Sequence, residues 1–292
     1  MNISTTILLH AVPGFIILSV AEIIFLKKEY SGKIIATEFK VSSALGIGFL
    51  TISYLTKGFI ILCFSYIYQY RFFTLPASGW WLWIFFLVIE DFTFYWFHRL
   101  SHEVRFFWAS HQLHHSSKVY SLASTFRETW TGTVTCTFLF WGWMPLVGVE
   151  PGVIVLLKSF SIIYQFWLHT ESIRKLPRWL EFFFNTPSHH RVHHGSNEEY
   201  LDKNFGGILI IWDRMFGTYL PETTRPKYGL TKDINSNNIF TIAFYEWAAI
   251  YKDLKQADNK SDKWNYLFNK PGWKYEKNKH PNKPINSEIY SG

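Results

Sequence analysis

Apolar residues in this chain gather in long blocks, unlike the alternation of a half-buried strand or the narrow stripe of a soluble helix. Four blocks are long enough to cross a hydrocarbon core, which takes about 20 largely apolar residues in a helix. Ile7–Leu26 carries one formal charge, Glu22, and Val41–Tyr70 carries only Lys57. Trp80–Phe97 is apolar and aromatic until Glu90 and Asp91. Thr129–Trp167 holds just Glu150 and Lys158, with Pro145, Gly148, Pro151 and Gly152 near its middle. Those breakers predict two helices folded as a hairpin, returning the chain to the side it left.

The charges between the blocks set an orientation. Lys27, Lys28, Lys33 and Lys40 follow the first block, whereas the 70–79 loop has only Arg71. The positive-inside rule then places 27–40 in the cytoplasm and the N-terminus outside. No basic residue precedes the first block, which sets it apart from a cleavable signal. Counting onward, 98–128 and 168–292 share the cytoplasmic compartment. Three regions follow: N-terminal transmembrane helices over 1–78, a catalytic region over 79–222, and a cytoplasmic C-terminal segment with a basic tail over 223–292.

Composition sharpens this picture. Of 292 residues, 48% are apolar, 20% aromatic and 17% charged, which excludes a disordered chain and an ordinary soluble enzyme. The net charge of +7 is partly local, since 252–292 holds nine Lys against five acidic residues. In a membrane chain such a tail faces anionic headgroups, and no nucleic-acid partner is expected. Cys63 and Cys136 lie in apolar blocks and read as small buried hydrophobes, with no C-x-x-C to suggest thiol chemistry.

The histidines carry the chemistry. Five of the twelve fall between 98 and 115, and four more are His189, His190, His193 and His194. The spacings are His98-x-x-x-His102, His111-x-x-His114-His115 and His190-x-x-His193-His194, so each set shares a helix face. Eight imidazoles are too many for one ion and suit two. The expected fold is therefore all-α, a multi-pass transmembrane helical protein with a cytoplasmic histidine-rich cap for two metals. Imidazole alone does not choose among Zn, Cu, Fe and Ni. A zinc pair would imply hydrolysis or a structural role, but Phe106 breaks the H-E-x-x-H pattern that His102-Glu103 begins. A membrane-bound iron pair would instead imply dioxygen activation and attack on a lipid C–H bond.

At this point the chain resembles a known family. Residues from about 80 to 222 are similar to the fatty acid hydroxylase/sterol desaturase superfamily, membrane di-iron enzymes defined by three histidine boxes, and to its alkylglycerol monooxygenase branch. The stretches that carry the likeness run from Asp91 to Lys118, from Gln165 to Glu171 and from Asn185 to Tyr219. The resemblance implies that His98, His102, His111, His114, His115, His190, His193 and His194 ligate two irons, with His169 as a further ligand after the hairpin. Gln165 stands where a partner histidine for His169 would. His189 falls outside the register and reads as a neighbour of the ligands, while His10 and His280 read as unrelated to the metals. Asp91, Tyr95, His98 and His102 form one helical stripe, and ligating histidines commonly hydrogen-bond a carboxylate. Asp91, Glu103, Asp202 and Asp213 are the candidates for that supporting role, with Arg99 and Arg191 pairing to acids or lipid phosphate. Phe94, Trp96, Phe166 and Trp167 are candidate liners of an acyl-chain path.

The resemblance further implies a monooxygenase that hydroxylates an alkyl or acyl chain of an ether lipid, a fatty acyl lipid or a sterol-like molecule, with dioxygen. On the alkylglycerol branch the donor would be a reduced pterin. No G-x-G-x-x-G and no haem motif is present, so a separate electron donor is expected. A desaturase using the same metals and a non-catalytic metal carrier or sensor are the alternatives.

Overall fold

Uninterrupted runs of Leu, Ile and Phe wind into long helices, and they set the frame for everything that follows. The computed structural model describes residues 3–75 and 79–274, with side chains from residue 10 onward; His280 and the end of the basic tail lie outside the described residues. Helix α1 spans Ile3–Leu26 and α2 spans Gly32–Tyr68, the latter capped by the Ser31 hydroxyl, which accepts from the Ile34 N–H. At 1.5 Å per residue α2 is about 55 Å long, well beyond a hydrocarbon core of about 30 Å. Its two halves differ accordingly. Ile35, Val41, Ser42 and Leu45 are buried, while Leu55, Leu62 and Tyr66 further along are exposed. Helix α3 spans Trp80–Glu103. Helices α2 and α3 are each long and apolar enough to cross a membrane, whereas His10–Leu26 and Pro151–Phe166 are apolar but shorter.

After α3 the helix breaks at Val104, whose backbone is extended, and α4 (Arg105–His111) folds back. An unbroken helix would carry residue 111 about 20 Å beyond residue 98. The break instead brings their imidazoles into contact. Short 3-10 turns follow at His114–Ser116 and Leu122–Phe126.

The fourth apolar block does not form the expected pair of helices. Its first limb is a run of turns, a 3-10 turn at Thr137–Trp141 and the four-residue α5 (Trp143–Leu146); only the second limb is a helix, α6 (Pro151–Phe166). The reason lies in the threonines of the first limb. Thr135 and Thr137 donate their hydroxyls to the carbonyls of Thr131 and Gly132, offering the backbone an alternative to a helical ladder. Cys136 sits among them in the left-handed region and is exposed, contrary to its reading as a buried hydrophobe.

The remaining helices build a cap: α7 (Arg178–Phe183), α8 (Pro187–His193), α9 (Ile211–Phe216), α10 (Ile239–Gln256) and α11 (Lys260–Phe268). Among the described residues no strand forms beyond a single bridge between Phe184 and Leu209. One apolar core, with Phe64, Phe86, Trp141 and Ile154, joins α2, α3 and α6. A second, with Leu45, Leu113 and Ile242, ties the near half of α2 to the cap. Arg105 fastens α10 in place through Glu246 at 2.6 Å and Asp253 at 2.7 Å. The turn after α1 packs on the cap as well, with Leu26 and Ile35 against Val119 and Glu29 paired to Arg225. The lysine-rich 27–40 stretch and the histidine-bearing segments therefore lie at the same end.

Candidate metal centre

Nine imidazoles converge in two adjoining groups. His98, His102, His111, His115 and His193 form one, and His114, His169, His190 and His194 the other; within each, the ligand atoms lie within 4.8 Å of one another. Helix geometry decides the allotment. The pairs four apart (98 with 102, 111 with 115, 190 with 194) each fall in one group, and the third members, His114 and His193, cross to the other. The groups touch where His115 stacks on His194 at 4.3 Å between ring centres. All nine are buried except the half-buried His111.

The donor set fits cations. In the four-membered group, His114 Nδ1 bonds to the Arg127 carbonyl at 3.2 Å and His169 Nδ1 to the Gln165 carbonyl at 3.0 Å. A carbonyl only accepts, so both Nδ1 atoms carry the proton and both Nε2 atoms present bare lone pairs. Those two lone pairs face each other at 3.2 Å, a repulsive arrangement that a cation between them would relieve. In the five-membered group, His98 Nδ1 bonds to the Phe205 carbonyl at 2.8 Å and His193 Nδ1 to the Lys203 carbonyl at 3.0 Å. The buried Nε2 atoms of His102 and His193 have no hydrogen-bond partner. Burial pushes His114 down to about 4 and holds His111, His115, His169, His190, His193 and His194 well below the usual imidazole value. The rings are thus neutral at pH 7, the form that ligates a metal.

Two buried carboxylates hold the loop that anchors the five-membered group. Asp91 accepts from the N–H groups of Ile208 at 2.6 Å and Leu209 at 3.0 Å, and from the Trp212 indole at 2.9 Å. Asp213 accepts from the N–H groups of Phe205 and Gly206, both at 2.8 Å, and from the Thr218 hydroxyl. Burial raises the Asp213 carboxyl to about 6 against the lowering effect of those bonds. Asn185 supplies donors to the carbonyls of Gly206 and Gly207. With its backbone groups engaged, the loop has one arrangement in which to present the Phe205 carbonyl. Asn204 sits at φ +56°, a conformation that Asn tolerates, so the carbonyls on either side of it reach His193 and His98. Gly207 lies so close to α3 that an added Cβ would stand 2.8 Å from Phe94 and 2.9 Å from the Asp91 carboxylate.

The other sequence candidates are placed differently. Asp91 touches no imidazole; it acts through the loop. Glu103 pairs with Arg99 at 3.0 Å, and Arg99 donates to the Tyr95 hydroxyl. Asp202 lies 3.6 Å from Lys270. His189 is outside both groups, 3.3 Å from Glu181 and bonded to Thr186, with its pKa lowered by burial to about 4. Arg191 forks onto Glu222 at 2.7 and 2.8 Å and donates to the carbonyls of Thr170 and Ile173 beside His169. His10 belongs to neither group. Phe166 stacks on Phe15 at 3.9 Å, Trp96 packs on Phe216, Trp167 packs on Tyr164, and Phe94 lies 5.2 Å from the His98 ring.

Sequence reasoning missed the residues that act through their backbone. Arg127, Gln165, Lys203 and Phe205 supply carbonyls, and a carbonyl leaves no side-chain signature. Arg127 had a readable signal, a lone basic residue at the start of an apolar block. Its buried guanidinium bonds to Glu38 at 2.5 Å, Ser42 at 3.0 Å and Ser116 at 2.9 Å, tying the His114 anchor to α2. Tyr120 was also missed; its ring lies 5.3 Å from His194 and 5.7 Å from His169.

Comparison with known proteins places this centre among relatives. A fatty acid hydroxylase family profile matches residues 83–218. The chain is 41% identical to the alkylglycerol monooxygenase of Homo sapiens over 212 residues, which covers 72% of this chain and 47% of that protein. The enzyme of the same name from Xenopus tropicalis is 42% identical over 213 residues, again 72% of this chain and 47% of the relative. An ornithine lipid hydroxylase of Rhizobium tropici is 32% identical over 136 residues, 46% of this chain and 40% of that one. The chain spans about half the length of the alkylglycerol monooxygenases from these vertebrates. No solved structure matches.

Proposed function

The chain belongs to the fatty acid hydroxylase family, and from that premise we propose that it is a multi-pass membrane di-iron monooxygenase that hydroxylates a lipid chain, in the first instance an alkylglycerol ether lipid. The observation that carries this reading is the pair of imidazole groups, five and four, in each of which the ligand atoms lie within 4.8 Å of one another. Bound there, two irons would supply dioxygen activation and removal of hydrogen from the carbon beside the ether oxygen, whose hydroxylation gives a hemiacetal that collapses to an aldehyde and a glycerol derivative. The protein's own part is positional. Four backbone carbonyls fix the tautomer and tilt of His98, His114, His169 and His193, and burial excludes water and keeps the rings neutral.

Hydroxylation is favoured over desaturation because the relatives above carry the names monooxygenase and hydroxylase. Electrons would come from a separate donor, a reduced pterin on the alkylglycerol branch. The lysine-rich 27–40 stretch lies at the same end as the histidines, which supports a cytoplasmic cap.

The test is metal content and oxygen uptake of the detergent-purified chain with an alkylglycerol, a fatty acyl lipid or a sterol, plus a reduced pterin. About two irons per chain and an aldehyde product from the ether lipid alone are the expected result. Tightly held zinc that iron cannot replace, without oxygen uptake, would overturn the reading.

A further inference from the structure

Beside the metal centre, the cap carries an apolar face that none of the described residues buries. On α7, Trp179, Phe182 and Phe183 are exposed, Trp179 to 63%. On α9 next to it, Met215 is 67% exposed and Phe216 37%. Such a density of large apolar side chains is unusual on a water-facing surface. The segment leading into it is basic, with Glu171 and Glu222 beside Arg174 and Lys175 and the Lys175 ammonium on the Glu222 carbonyl. Arg174, Lys175 and Arg178 precede the patch and are exposed. The acidic residue on α7, Glu181, turns inward, accepting from the Leu176 N–H and the hydroxyls of Thr186 and Ser188. Arg214 lies over the Phe182 and Tyr219 rings, its guanidinium on the carbonyls of Glu181 and Phe182.

The patch continues the apolar surface of α3. Trp81, Phe85, Phe92 and Trp96 stand on one helical stripe. Trp81 and Phe85 are exposed, whereas Phe92 and Trp96 are covered by α9, with Trp212 5.1 Å from Phe92 and Phe216 5.0 Å from Trp96. The stripe that would face lipid along the outer half of α3 thus runs directly into α9, which Arg214 joins to α7.

We propose that α7 and α9 form an interfacial foot, its aromatic face embedded in the headgroup region of the bilayer and its arginines and lysine on anionic lipid phosphate. Aromatic side chains interleaved with cations on short helices suit that boundary, where the rings are sheltered and the charges stay hydrated. This inference rests on the membrane reading of α2 and α3. It places a segment of the cap that sequence alone assigned to the aqueous compartment against the membrane, next to the loop that anchors His98.

The experiment uses the full chain with Cys63→Ser and Cys136→Ser, reconstituted in phosphatidylcholine vesicles with and without phosphatidylglycerol. An environment-sensitive fluorophore is attached at Phe182→Cys, at Leu55→Cys on the exposed side of α2, and at Asn237→Cys on the exposed side of the cap. At 182 the expected result is blue-shifted emission, strong quenching by lipids spin-labelled near the headgroup, and iodide quenching several-fold weaker than at 237. The blue shift should grow with phosphatidylglycerol and shrink when Arg174, Lys175 and Arg178 are replaced by Gln. A label at 182 that behaves like the one at 237, while 55 remains lipid-quenched, overturns the foot and points to a protein partner or bare solvent. A blue shift indifferent to phosphatidylglycerol overturns the anionic-lipid contact. Iodide quenching at 55 as strong as at 237 would bring down the membrane reading itself, and the foot with it.

Discussion

The two imidazole groups draw on the same histidine boxes, yet they are anchored by different parts of the protein. The five-membered group hangs on one short loop, 203–205, secured by Asp91, Asp213 and Asn185. The four-membered group hangs on the Arg127 carbonyl, which depends on Glu38 and Ser42 of α2, and on the Gln165 carbonyl at the end of α6. Local loop chemistry supports the first, and packing of the apolar helices supports the second. The groups also differ in reserve. Losing one imidazole leaves four around the first position and three around the second.

That difference can be broken by deletion. His169→Ala should leave about one iron per chain and lower turnover by about 100-fold or more, whereas His102→Ala should cost comparable turnover while retaining more iron. Metal analysis beside single-turnover product yield reads both; equal metal loss in the two variants would remove the asymmetry. A smaller effect separates the anchors. Asp91→Asn places an amide donor against three donors and should weaken metal binding at the five-membered group by about 10- to 100-fold, with stability lower by roughly 1.5–3 kcal/mol. Glu38→Gln should act on the four-membered group instead and more weakly, since Glu38 reaches His114 indirectly, through Arg127 and through Ser117 at the end of the His114–Ser116 turn. Site-resolved Mössbauer spectra would show which iron each variant perturbs, and the same iron perturbed in both would contradict the division.

The smallest effect tests the turn between the two carbonyls. Asn204→Gly and Asn204→Ala both lose the side-chain bonds to His189 and Leu220. Only Ala also carries the strain of φ +56°, so it should be less stable than Gly by about 1 kcal/mol. Denaturant unfolding of the two variants measures that gap, and a gap near zero would mean the loop relaxes into another conformation.

Legibility in the sequence followed range. The apolar blocks announced α1, α2, α3 and α6 because hydrophobic run length is local information. The first limb of the fourth block misled for a local reason as well: its threonines are apolar enough to extend the run but compete for backbone carbonyls. Spacing paired His98 with His102, His111 with His115 and His190 with His194, since residues four apart share a face wherever the helix goes. The supporting carboxylates were only half readable. Asp91 and Asp213 stood out as acids near the boxes, but their partners are backbone N–H groups of a loop more than 100 residues from Asp91.

By itself, then, the sequence determined the apolar helices, the imidazole pairs and the charge bias of the 27–40 stretch, all properties of neighbours along the chain. Tertiary structure decided which pair joins which group, because the extended residue Val104 folds His111 back onto His98. It also decided which nitrogen of His98, His114, His169 and His193 carries the proton, because carbonyls from distant segments claim Nδ1. Those choices rest on contacts between segments far apart in sequence, and backbone carbonyls, identical at every residue, leave no mark by which spacing could find them.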